Sequence, residues 1–164
     1  MPRSSIVAVP FRAGAARPIA WWVLRVATAA ALGIDAVVHA RNASAYDAVK
    51  ATFTEGTLFR VEAGAAAAAG LLVLLWPRRG SWVAALLVGA SALGAVLLYR
   101  YVDVGALGPL PDMYENTWQV PGKLLSAYAE AAAIGLAGLG LLTYRKRPGM
   151  QRLLPMAARA RKRG

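Results

Sequence analysis

An aspartate at position 35 and the chain's one histidine, at position 39, sit four residues apart within the stretch GIDAVVHARNASAY (Gly33 to Tyr46), at the end of an otherwise apolar segment. In a helix four residues make one turn, so the two side chains share a face, Asp35 about 6 Å of rise from His39. A carboxylate and an imidazole at that spacing can pass a proton near neutral pH or help to ligate a cation, and burying either without a partner is costly. Extending the three-and-four spacing in both directions gives Arg25, Thr28, Asp35, His39 and Asn42, a polar stripe on one side of the segment. Lipid cannot be what such a stripe faces. It must look into a helix bundle or a wet cavity.

Two further acids fall at compatible depth. Glu62 lies in the first two turns of a second apolar segment, and Glu130 lies about 9 Å of rise from the start of a fourth, with Ser126 one turn before it and Lys123 continuing that face. Asp35, His39, Glu62 and Glu130, with Asp103 just beyond the third segment, are thus placed to converge. Three readings are open. In a purely structural one, Asp35 pairs with His39, Glu62 with Arg60 or Arg100, and Glu130 with Lys123. In a second, the acids and the imidazole bind a protonatable ligand or a hard or borderline divalent cation, for which a lone histidine is a weak signature. In a third, the Asp-His pair moves protons for a quinone or lipid-like substrate. The chain has no cysteine, so disulfides, thiolate metal sites, thiol redox pairs and covalent haem attachment are excluded together. No glycine-rich phosphate loop, HExxH or coiled-coil heptad is present, and no internal repeat is clear enough to argue inverted-topology transport.

What must position these residues is membrane-like. With 58% hydrophobic and 16% charged residues, the 164-residue chain is too apolar for an ordinary soluble domain. A spanning helix needs about 20 apolar residues, and Ile19 to Ala40, Thr57 to Trp76, Ser81 to Tyr101 and Leu124 to Tyr144 qualify. The four-residue turn PRRG (Pro77 to Gly80) forces the second and third to be antiparallel neighbours. Continuous runs of Ala, Leu and Gly lack the alternation of a barrel strand. The expected fold is all-α: a polytopic membrane protein with four transmembrane helices over 19–144, a basic arm over 1–18 and a basic tail over 145–164.

Charge sets the orientation. Thirteen of the 19 Lys and Arg residues lie in the arm, the PRRG turn and the tail, where there are no acids; all eight acids lie elsewhere. Both termini are therefore expected on the cytoplasmic side. The +11 net charge reads as a sidedness signal, with anionic lipid at the basic tail and no nucleic-acid role expected. A cleaved signal peptide ending near Ala43 to Ala45 competes only weakly, since Asp35 and His39 interrupt the required apolar core. The sequon at Asn42 carries little weight, because the Arg, Ala, Gly, Val and Leu bias points to a GC-rich bacterial genome and hence to the bacterial cytoplasmic membrane.

The connection Val102 to Lys123 carries three prolines, Tyr114 and Trp118 and reads as an interfacial lid, with Asp112 and Glu115 hanging over the polar cluster; a solvated loop with aromatic anchors is an equal alternative. The other outer connection, with Tyr46, Asp47, Phe53 and Glu55, is expected to hold a helical turn. Arg25 stands alone near the inner side and is expected to snorkel to headgroups. Small residues recur at close-packing spacing (Gly64 with Ala68, Ala85 with Gly89, Ala90 with Gly94, Ala127 with Ala131 and Gly135), suited to packing within the chain, to a partner subunit in a membrane complex or to a homo-oligomer.

In these features, four helices with both termini inside, Asp35 and His39 toward the outer end of the first, and Glu62 and Glu130 toward the outer ends of later ones, the chain resembles the DoxX-like small membrane proteins over about Ile19 to Tyr144. The resemblance implies an oxidoreductase linked to quinone or thiol redox systems. The absence of cysteine departs from the thiol-using relatives. The residues themselves fit a binding or accessory subunit with an outer polar site first, and a DoxX-like redox enzyme second.

Overall fold

A computed structural model describes residues 16–144. They form four helices, α1 (Ala16–Asn42), α2 (Glu55–Leu75), α3 (Arg79–Tyr101) and α4 (Lys123–Thr143), with a short 3-10 turn, Ala43–Tyr46, after α1. All four are long and apolar enough to cross a membrane, which is compatible with a small membrane protein. The basic tail, most of the basic arm and the lipid contact expected of the tail lie outside the described residues.

The helix limits follow local chemistry. α2 starts two residues before Thr57 because Thr54, in an extended conformation, accepts the Thr57 N–H on its Oγ1 at 2.9 Å, and Glu55 then sits at the positive end of the helix. Pro77 stops α2, and Ser81 Oγ donates to Trp76 O at 2.6 Å, which ties the start of α3 back to that turn. α4 begins from Gly122 at φ +81°, a left-handed conformation in which a Cβ would also lie 2.9 Å from Val38 of α1.

Successive helices run antiparallel around a ring. α1 packs on α2 and α4, α3 packs on the same two, and the diagonal α1–α3 contact is slight; of the four seams, α2–α3 is the lightest. One end of the bundle therefore holds Ala16, Thr143 and the Trp76–Arg78 turn, and is called here the short-turn end. The other holds residues 43–54 and 102–122 and is called the long-loop end.

The short-turn half is the packed core. Leu32, Val73, Trp82 and Ala137 are fully buried there, and the Trp82 ring lies so close on Gly140 that no side chain fits at that position. The Trp21 ring stacks obliquely on Trp82 with centroids 5.2 Å apart. Among helices in lipid such close contact, more than water exclusion, holds elements together. Of the small-residue positions, Ala85 is buried and Gly89 packs against α4, whereas a Cβ at Gly64, Gly94 or Gly135 would meet nothing within 4 Å.

Arg25 departs from expectation. It does not snorkel: the residue is 9% exposed, its Nε donates to Val73 O at 3.2 Å, its Nη2 donates to Leu74 O, and the guanidinium lies 4.1 Å from the Trp22 ring centroid. The last-turn carbonyls of a helix lack internal donors and carry the negative end of its dipole, and a cation reaching across from α1 satisfies both needs of α2.

Candidate functional site

Three helices place a carboxylic acid at one level. Asp35 precedes the end of α1 at Asn42 by seven residues, Glu62 follows the start of α2 at Glu55 by seven, and Glu130 follows the start of α4 at Lys123 by seven. Each is thus about 10 Å below the long-loop end of its helix. Gly94 occupies the matching level of α3.

Two of these acids meet directly behind a serine. Ser126 Oγ lies 2.6 Å from Asp35 Oδ1 and 2.9 Å from Glu130 Oε1, and His39 Nδ1 lies 2.9 Å from the same Asp35 oxygen and 3.2 Å from the Asp35 carbonyl. Asp35 and Glu130 are fully buried, and Asp35 Oδ2 and Glu130 Oε2 have no hydrogen-bond partner. A serine hydroxyl has one proton, so it donates to one carboxylate only, and the second contact is favourable only where that carboxyl brings a proton of its own. The pair therefore suits either a shared proton or a cation. Ligand atoms of Asp35, His39 and Glu130 all lie within 4.8 Å of one another, a spacing that a divalent ion can bridge. With Nδ1 turned to Asp35, the Nε2 of His39 is the ring nitrogen left for a ligand.

In front of this pair is a cavity of about 370 Å³. His39, Ser126 and Glu62 supply polar groups to its wall, while Asp35 and Glu130 stand behind. Most of the rest is apolar: Val38, Leu58, Phe59, Ala92 and Val96 from the helices, and Leu110, Met113 and Val120 from the long loop. Phe59 meets His39 edge-on at 5.2 Å and Tyr46 at 4.8 Å, so one ring holds both polar groups in place. Glu62 Oε1 is buried without a partner. The pairs that the sequence offered for Glu62 and Glu130 do not form, because Arg60 reaches Asp47 at 2.7 Å and Lys123 reaches Glu115 at 2.8 Å.

The loop expected to act as a lid divides. Glu115 lines the cavity, where its carboxylate accepts from Tyr46 Oη at 2.9 Å and from Lys123 Nζ, and its N–H donates to Tyr99 O at 3.0 Å. Asn42 Nδ2 donates to Pro121 O at 2.9 Å, and Phe53 N–H to Pro109 O at 3.1 Å, so both long connections are stitched to each other and to α1. Asp103 and Asp112 do not join the cluster. They are exposed and accept the Gly105 and Tyr114 N–H groups of their own turns. Tyr114 is exposed, and Trp118 packs on Tyr101 and Arg100 away from the cavity lining.

Glu55, 7% exposed and on the cavity wall, and Tyr46 are site residues that the sequence reading did not single out for the site. Their only sequence signal is a polar group at a helix end, which is common. The helix through Ser126 was legible, because Ser126 and Glu130 share a face one turn apart. No family model, curated protein or solved structure matches the chain.

Proposed function

We propose that this chain is a small membrane protein that binds a lipid-soluble, hydrogen-bonding molecule in the cavity at the long-loop end, with Asp35, His39, Ser126 and Glu130 as the proton-exchanging group that recognises its head. The observation that carries the reading is the cavity itself: largely apolar walls, with His39 and Ser126 fronting a buried carboxyl pair and Glu55, Glu62 and Glu115 elsewhere on the wall. A simple structural tie would leave no need for a space of that size beside it, or for three buried carboxylate oxygens without partners. In this reading the protein is a binding or accessory subunit of the bacterial cytoplasmic membrane, with its termini inside and the long loops outside by the distribution of its arginines and lysines. Because the chain has no cysteine, single cysteines at Ser4 and Asn116 test the orientation. Membrane-impermeant maleimide should label position 116 and not position 4 from outside intact cells; the reverse overturns it.

Native mass spectrometry of the protein in lipid nanodiscs tests binding. One bound lipid-soluble molecule per chain is expected, lost in Ser126→Leu. A cavity that retains only bulk phospholipid, equally in both, counts against the proposal. A second reading, a DoxX-like oxidoreductase acting on a quinone, is favoured by the Asp35–His39 pair, which can carry protons to and from a quinone oxygen. A copurified quinone reduced by an added electron donor, and not in Asp35→Asn, would put that reading first.

A further inference from the structure

We infer that the cavity is entered sideways, from the hydrocarbon layer, through a portal between α2 and α3 at Ser91 and Ala95, and that its ligand is an amphiphile whose hydrocarbon tail stays in that portal. The inference deepens the binding role proposed above and rests on it.

Two independent observations point the same way. The first is where the cavity is open. Of its lining residues only Ser91 and Ala95 are exposed, and both lie on α3. Counting along α3 from Tyr101, Ala95 is about 9 Å and Ser91 about 15 Å below the long-loop end, at the depth of the acyl chains. Two and six residues along α3 from Gly89, which packs on α4, they lie on the side of α3 turned away from α4, and the α2–α3 seam is the lightest of the four. The portal offers no free hydrogen-bond donor to a ligand, because Ala95 has none and Ser91 Oγ donates to Val88 O at 2.9 Å within its own helix. Gly94, beside them, has nothing within 4 Å of where a Cβ would be.

The second is where the cavity is closed. Above it the long loops are fastened by Glu115 to Tyr46, Lys123 and the Tyr99 carbonyl, by Asn42 to Pro121 and by Phe53 to Pro109. Several of these bonds would have to break together to admit a solute from the water side, whereas among the described residues the one side-chain hydrogen bond between α2 and α3, Ser81 to the Trp76 carbonyl, lies at the far, short-turn end. His39 of α1 and Ser126 of α4 front the carboxyl pair on one side of the cavity and the apolar opening is on the α3 side, which matches a molecule with a compact hydrogen-bonding head and a tail.

The test uses the full chain in nanodiscs and a decyl-tailed benzoquinone as probe, with the same benzoquinone lacking its tail as control. The parent chain should bind the tailed form and, at equal concentration in the lipid, bind the tailless form at least tenfold more weakly, since only the tailed form packs against the portal. Ala95→Trp should slow association of the tailed probe about tenfold or more at unchanged thermal stability, and Ser91→Trp should repeat the effect. Cysteines at Asn42 and Pro121 bridged by a short bismaleimide should leave the association rate within about twofold. A bridged lid that blocks binding, with Ala95→Trp and Ser91→Trp at the parent rate, overturns the portal while leaving the binding role standing. A parent chain that binds neither probe overturns the amphiphile assignment, and if native mass spectrometry also finds no bound molecule, the binding role falls with it.

Discussion

The two halves of this bundle are built from the same four helices and spend them differently. At the short-turn half, Trp82 is seated on Gly140, with Leu32, Val73 and Ala137 fully buried around it and one arginine closing the end of α2. At the long-loop half, the helices leave about 370 Å³ between them and face it with imidazole, hydroxyl and carboxyl groups. Close packing is what stabilises helices against one another in lipid. A half that forgoes it therefore has another use for the space, and the contrast predicts that stability and ligand binding separate along the bundle axis.

Trp82→Ala carries the largest effect on stability. It empties the most tightly filled site in the short-turn half, and such truncations cost about 3–5 kcal/mol. Chemical or thermal unfolding in detergent should show that loss, while the folded fraction binds ligand as the parent does. A Trp82→Ala protein that stays as stable as the parent, or that folds but no longer binds, would break the division between the halves.

The carboxyl pair gives the converse. Asp35→Asn should weaken binding by about tenfold, equivalent to 1.4 kcal/mol, with little change in melting temperature. If Asp35 and His39 are instead a structural tie, the single change should destabilise, and replacing both by Leu should restore stability, as exchanging a buried pair for apolar packing often does. A Leu–Leu double variant that is stable and binds normally would end the functional reading of the cluster.

How much of this contrast was legible in the sequence depends on whether a feature is local. The four helices were, because each is a continuous apolar run closed by Pro, Gly or charge. So was the shared face of Asp35 and His39, since helical spacing alone stacks them one turn apart, within reach of the 2.9 Å contact that their side chains make, and so was the depth of Glu130. The partners of the long charged side chains were not. Arg60, Lys123 and Arg25 each reach several ångströms, and which acceptor they find is set by neighbouring helices and loops: Asp47 in the first connection, Glu115 in the second, and the carbonyls of α2. The cavity was not legible either, since it exists only where Val38, Phe59 and Val96 come from three helices and fail to meet.

The smallest expected effect belongs to the exposed pair at the long-loop end, and it sharpens the comparison by showing which polar contacts there are incidental. Arg60 grips Asp47 with two bonds, Nη1 to Oδ1 at 2.8 Å and Nη2 to Oδ2 at 2.7 Å, both in solvent-exposed surroundings. The hydrogen bonds from Arg60 hold the Asp47 carboxyl below its ordinary value of 3.8, with the Thr54 hydroxyl a lesser aid. A carboxyl whose folded value is lowered lends stability above its unfolded value and loses it as pH falls through the folded one. Any contribution is therefore complete at pH 7 and fades only below about pH 4. Exposed pairs are also screened by salt and offset by the ordering of two long side chains. Asp47→Asn should leave the melting temperature at pH 7 unchanged within error, flatten only the acid limb of the stability profile, and leave ligand binding intact. A clear loss of binding would mean that the first connection, with Glu55 and Tyr46 beside it, is held in register by this pair, and the site would then extend from the buried carboxyls to the surface.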